Sequence, residues 1–201
     1  MARVDATRRA IVASIVVFGP PRAGKSAVLR AIHDRVPPAR RGALPPLGAE
    51  SAHAPFLDWL PLDLGTIAGW HVKVHLYAIA GQASFDSTRR LLLGDADGVL
   101  FVADSQAARL DENLAALRVL EEQLLDRDGD RRDVPRVFCY TKQDLPRELI
   151  LPAATLDEAL NFRGAPSSGA DALRATGVLE ALHRLVAMVM RRLTSTPATG
   201  A

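Results

Sequence analysis

The octet Gly19-Pro20-Pro21-Arg22-Ala23-Gly24-Lys25-Ser26 reads G-x-x-x-x-G-K-[ST] without a mismatch. Its residue types suit one task, the grip of a phosphate chain. A tight loop can aim successive backbone N–H groups at phosphate oxygens only where side chains stay clear, which gives Gly19 and Gly24 their use. Pro20, Pro21, Arg22 and Ala23 supply the loop between them. Lys25 is placed to reach the β- and γ-phosphates and the Ser26 hydroxyl to ligate Mg²⁺. The loop must follow a strand and open a helix, and its flanks agree. Ile15-Val16-Val17-Phe18 is an apolar run, and Ala27-Val28-Leu29-Arg30-Ala31-Ile32 has helical patterning.

Lysine usage points the same way. The 25 basic residues include only Lys25, Lys73 and Lys142 as lysines, and two of these stand in nucleotide-binding motifs. A slender ammonium fits beside a phosphate or a purine ring where a planar guanidinium does not.

A chain of 201 residues, 48% hydrophobic, can bury one α/β core. A net charge of +2 and scattered arginine pairs without interleaved aromatics argue against nucleic-acid binding. The single cysteine, Cys139, lies in an apolar run and reads as an inert buried thiol, in keeping with a reducing cytoplasm. No apolar run approaches a membrane span, and neither a myristoylation start nor a prenylation cysteine is visible. The expectation is a cytoplasmic protein without a direct membrane anchor.

Residues 1–10 read as a polar leader, 11–193 as one nucleotide-binding domain and 194–201 as a disordered tail. Within the domain the patterns predict a strand over 14–18 and a helix over 25–36 stopped by Pro37-Pro38. A long loop over 37–55 comes next, then strands over 56–64 and 71–77 about a Gly65/Gly69 turn. A strand over 98–103, a helix over 109–126, a strand over 135–140 and helices over 155–161 and 177–193 follow. Residues 162–174 read as loop. Strands alternating with helices predict a doubly wound, mainly parallel sheet with helices on both faces and the ligand at the strands' carboxyl ends.

Three landmarks stand in order: the octet, Ala78-Ile79-Ala80-Gly81-Gln82, and Thr141-Lys142-Gln143-Asp144. Together they resemble the phosphate loop, second switch and guanine-reading motif of a P-loop, Ras-like small GTPase. The blocks Phe56 to Gly65, Val74 to Tyr77 and Gly98 to Ser105 are similar to the bacterial cell-polarity and gliding-motility GTPase family MglA, over roughly residues 14–193. The resemblance implies a GTP/GDP switch with Mg²⁺ as cofactor, a Roadblock-domain regulator of the MglB kind and polarity or motility effectors as partners. Asp144 would accept hydrogen bonds from guanine N1–H and the exocyclic amine, a pair that adenine does not offer. Lys142 would pack over the ring. Thr141 stands where the usual pattern has Asn and keeps one hydroxyl in place of an amide. Gln82 would orient the attacking water, and Gly81 would offer its N–H to the γ-phosphate. By alignment on Gly177-Val178, a backbone contact to the guanine oxygen falls at Ala172 and Leu173.

Departures from the family pattern set the alternatives. Ala78 replaces the usual Asp, so a carboxylate near Mg²⁺ is missing. His53 and Ala54 stand where the family has an arginine and a threonine, and Ser51 is the nearest hydroxyl. An arginine finger is worth about 10³ to 10⁵ in rate, so intrinsic hydrolysis should be weak. A regulatory GTPase is the first reading, a nucleotide-binding scaffold that does not hydrolyse GTP the second, and a P-loop ATPase or kinase the third.

Overall fold

The computed structural model describes residues 2–44, 57–79, 86–125 and 133–195. The strands are β1 (Arg3–Asp5), β2 (Ala10–Phe18), β3 (Leu57–Ile67), β4 (Trp70–Ile79), β5 (Gly98–Asp104), β6 (Arg136–Thr141) and β7 (Ser167–Gly169). The α-helices are α1 (Lys25–Arg35), α2 (Asp86–Gly94), α3 (Leu110–Gln123), α4 (Ala153–Leu160) and α5 (Val178–Ser195). Sheet order is β3-β4-β2-β5-β6-β7. The pairs β2–β4, β2–β5, β5–β6 and β6–β7 are parallel, and β3 runs antiparallel to β4.

Parallel strands covered on both faces read as near-continuous apolar runs, and all seven residues of β5 and all six of β6 are buried, with the polar Asp104, Arg136 and Thr141 at strand ends. Alternate residues feed two cores. Ile15, Val17, Leu100, Val102, Val137 and Cys139 pack with Val28, Leu29 and Ile32 of α1 and Leu182 and Leu185 of α5. Val16, Phe18, Val99, Phe101, Phe138 and Tyr140 pack with Leu93 of α2, Leu117 and Leu120 of α3 and Leu156 and Leu160 of α4. The period of two sorts one apolar run into two faces, and a Leu→Ala change in either core should cost about 2–5 kcal/mol.

Several boundaries differ from the sequence expectation. The expected leader contains β1, antiparallel to β2 with Arg3 opposite Val12, and β2 begins at Ala10. Asp97 explains this. Its carboxylate accepts from Ala2 N at 2.8 Å and Ser14 N at 2.8 Å, tying the N-terminal hairpin to the loop before β5. Residues 167–169, expected as loop, form β7 beside β6, with Phe138 opposite Ser167. No apolar alternation marks Ser167-Ser168-Gly169. The strand forms because its backbone completes the β6 edge and Ser167 Oγ donates to Asp157 Oδ2 at 2.9 Å. The expected hairpin is present but longer, reversing at Ala68 (φ 49°) and Gly69 (φ 81°), the paired positive φ of a tight hairpin turn. Gly65 instead adjoins a bulge in β3. Helix α1 ends at Arg35 before Pro37-Pro38, as expected. Helix α5 continues to Ser195, and residues 196–201 of the expected tail lie outside the described residues.

Candidate functional site

The phosphate loop joins the carboxyl end of β2 to the first residue of α1, beside the ends of β5 and β6, where open α/β sheets bind ligands. Gly19 is required by close packing. A Cβ there would overlap the Val102 carbonyl oxygen, so the loop lies flush against β5. Gly24 takes the left-handed conformation (φ 91°) at the N-terminus of α1, turning the chain so that the helix's free N–H groups face the loop. Arg22 is also left-handed, at φ 64°. Ala23 is buried, whereas Pro21 and Arg22 are exposed on the lip.

Lys25 is 7% exposed. Its ammonium donates to Gly19 O at 2.9 Å and Pro20 O at 2.7 Å, so the side chain curls over the loop it serves. Burial, and then the positive charge of Arg89, pull its pKa down to about 8. A bound polyanion beside the ammonium would raise it again by its opposite charge. Arg89, on α2, is itself buried, with its guanidinium 5.9 Å from the centre of the Phe18 ring. It borders a cleft of about 220 Å³ that also touches Gly19, Pro20, Pro21 and Glu112.

Ser26 Oγ donates to Asp58 Oδ2 at 2.6 Å. Asp58 is the β3 residue opposite Ala78 of β4. A carboxylate on the neighbouring strand thus stands beside the loop where position 78 itself has none. A hydroxyl and a carboxylate oxygen at this spacing form a hard-oxygen pair suited to Mg²⁺, which takes one or two protein ligands and completes its shell with phosphates and water. Among the described residues no group of three or more His, Cys, Asp or Glu converges as a metal cage.

The base motif lies against the phosphate loop. Thr141 Oγ1 is 2.7 Å from Ala23 O and 2.9 Å from Ala103 O, so its single proton joins β6 to the loop and to β5. Lys142 adopts φ 65° and donates to Asp104 Oδ2 at 2.5 Å. Gln143 is held through its N–H to Ala170 O at 3.1 Å and its amide to Ser105 Oγ at 2.7 Å. Asp144 projects from this fixed segment and is exposed. On the far side, Asp171 Oδ1 accepts from Leu173 N at 2.9 Å and Arg174 N at 3.1 Å, closing a tight turn after β7. Leu173 is 83% exposed, and Ala172 packs against the α1/α5 core.

The structure thus brings Gly19 to Ser26 together with Thr141, Lys142 and Asp144. Gly81, Gln82, Ser51, His53 and Ala54 lie outside the described residues. Sequence reasoning missed Asp58, Arg89, Asp104 and Arg109. Asp104 and Asp58 stood in recognised blocks without a role, and neither has a spacing relative to its partner that sequence alone could reveal.

A phosphate loop at the end of β2, a base motif at the end of β6 and this sheet order define a P-loop small GTPase fold of the Ras-like kind. Over 196 residues the chain is 36% identical to the "Mutual gliding-motility protein MglA" of Myxococcus xanthus, covering 96% of this chain and 98% of that protein. The chain belongs to the MglA family. It is also 29% identical over 143 residues to the "C4-dicarboxylate transport transcriptional regulatory protein DctD" of Pseudomonas aeruginosa, covering 68% of this chain but only 27% of that protein. No protein-family model matches the chain.

Proposed function

We propose that this protein is a GTP/GDP switch that regulates gliding motility or cell polarity and hydrolyses GTP slowly. The observation that carries the reading is the 2.7 Å contact between Thr141 Oγ1 and Ala23 O, because it joins the base motif to the phosphate loop in one site. In that site the loop N–H groups and Lys25 hold phosphates, Asp144 reads guanine, and Lys142 lies along the ring. Ser26 and Asp58 would hold Mg²⁺, which when bound neutralises phosphate charge during transfer. Gly81 and Gln82 would sense the γ-phosphate and position water. A relative named for gliding motility supports the process. Among the described residues no helix is long and apolar enough to cross a membrane. Cytoplasmic residence, recruitment to the pole or inner membrane by effectors, and regulation by an MglB-like Roadblock protein complete the proposal.

Titration with labelled GDP, GTP and ATP tests it. Guanine nucleotides should bind, ATP should not, and Lys25→Ala should abolish binding. Asp144→Asn should weaken GDP about a hundredfold, through two hydrogen bonds to a charged acceptor. Equal affinity for ATP and GTP would sink the reading. His53, Ala54 and Ala78 favour a second reading, a GTP-binding scaffold without hydrolysis. Phosphate release in a single turnover, with or without a Roadblock partner, excludes that alternative.

A further inference from the structure

Asp104 ends β5 and is fully buried, yet no landmark motif includes it. A carboxylate without solvent needs donors on both oxygens. Lys142 Nζ supplies one at 2.5 Å on Oδ2. Gln106 supplies two on Oδ1, from N at 3.0 Å and Nε2 at 3.1 Å, and Nε2 also lies 3.2 Å from Oδ2. Arg109 Nε stands 4.0 Å from Oδ2, while its Nη2 donates to Pro21 O at 3.1 Å in the phosphate loop and its Nη1 to Glu112 Oε1 at 2.6 Å. The backbone of Asp104 is pinned as well. Its N–H donates to Asn113 Oδ1 at 3.0 Å, and Asn113 Nδ2 returns a bond to its carbonyl at 2.8 Å. Asp104 pairs across the strands with Thr141, the residue before Lys142.

The carboxylate is therefore held on both oxygens, and Lys142 reaches it through a four-carbon stem. That residue holds a left-handed backbone, rare for a side chain of its size, next to Thr141, which bonds the phosphate loop. We propose that Asp104 is a positioning residue for base recognition: it anchors the Lys142 ammonium so that the stem is ordered before the guanine ring arrives. An amide at position 141 is absent, and the anchoring falls to the neighbouring strand instead. The inference rests on guanine binding as proposed above.

The test measures affinity for labelled GDP and for pyrophosphate, a probe that meets the phosphate loop but has no base. The proteins are the wild-type chain, Asp104→Asn, Lys142→Ala and the double variant. Asp104→Asn should bind GDP about tenfold more weakly, the cost of ordering one long side chain on binding. Its pyrophosphate affinity should not change, and in the Lys142→Ala background it should add no further loss. Unchanged GDP affinity, a parallel loss of pyrophosphate, or additive losses in the double variant would each overturn the proposal. If Asp104→Asn does not fold, Gln106→Ala removes a grip on the same carboxylate from the surface. It should cost about threefold in GDP affinity, and no change would overturn the idea. A wild-type chain that binds pyrophosphate but not GDP defeats the function and this inference together, whereas GDP binding indifferent to Asp104 defeats the inference alone.

Discussion

The hydroxyl of Ser26 and the carboxylate of Asp58 meet at 2.6 Å, although 32 residues separate them. The contact exists because β3 folds back along β4 and sets Asp58 opposite Ala78. The strand pairing thus sets a carboxylate beside the phosphate loop, opposite a position where this chain has alanine.

Asp58→Asn should leave the fold intact and weaken Mg²⁺ retention in the GDP complex by about tenfold or more, as removal of one oriented carboxylate does. The measurement is GDP release across a Mg²⁺ titration. Adding Ala78→Asp to that variant should recover part of the loss. Identical Mg²⁺ dependence in wild type and Asp58→Asn would remove Asp58 from the site.

Thr141→Ala should destabilise the nucleotide-free protein by about 1–3 kcal/mol, because a buried donor is lost between the Ala23 and Ala103 carbonyls. Urea unfolding reports the stability, and GDP release should quicken in step. Thr141→Ser keeps the hydroxyl and should retain most of both. A Ser variant as impaired as the Ala variant would assign the effect to the methyl group instead.

Asp97→Ala should cost about 2 kcal/mol or more, since the N–H groups of Ala2 and Ser14 lose their acceptor. Hydrogen exchange should speed first in residues 2–14. Unaltered protection there would mean that β1 is held by its pairing with β2 alone.

Burial pushes the Cys139 thiol up to about 12 from its ordinary value of 9.0. In native protein at pH 8 it should resist a thiol reagent that labels the unfolded chain at once. For stability the sign follows from a raised acid. The contribution is intact below pH 9, where both states hold the proton, and is lost as pH rises toward 12, because only the unfolded chain releases it. Cys139→Ala should flatten that alkaline decline, and rapid labelling of folded protein would contradict the burial.

Much of the site was legible because its parts are local. The phosphate loop needs eight consecutive residues between a strand and a helix, and Gly19 to Ser26 form it as read. The same holds for Thr141 to Asp144, whose loop follows directly from β6. Less legible were β1 and β7. Arg3-Val4-Asp5 is too short for its alternation to be read and Ser167-Ser168-Gly169 has none, and each becomes a strand because a neighbouring edge offers backbone partners. Local propensity is silent where pairing alone decides.

The sequence by itself determined the glycine-rich octet between strand and helix, the Thr141 to Asp144 segment after a strand and the alternation of strands and helices, since each is written in adjacent residues or a short period. Tertiary structure decided which charges meet. Asp58 on Ser26, Asp104 on Lys142 and Arg89 near Lys25 are pairs of distant positions. Electrostatic and hydrogen-bonding energies depend on separations of a few ångströms and on burial. Strand register and helix packing set those quantities, and no local pattern encodes them.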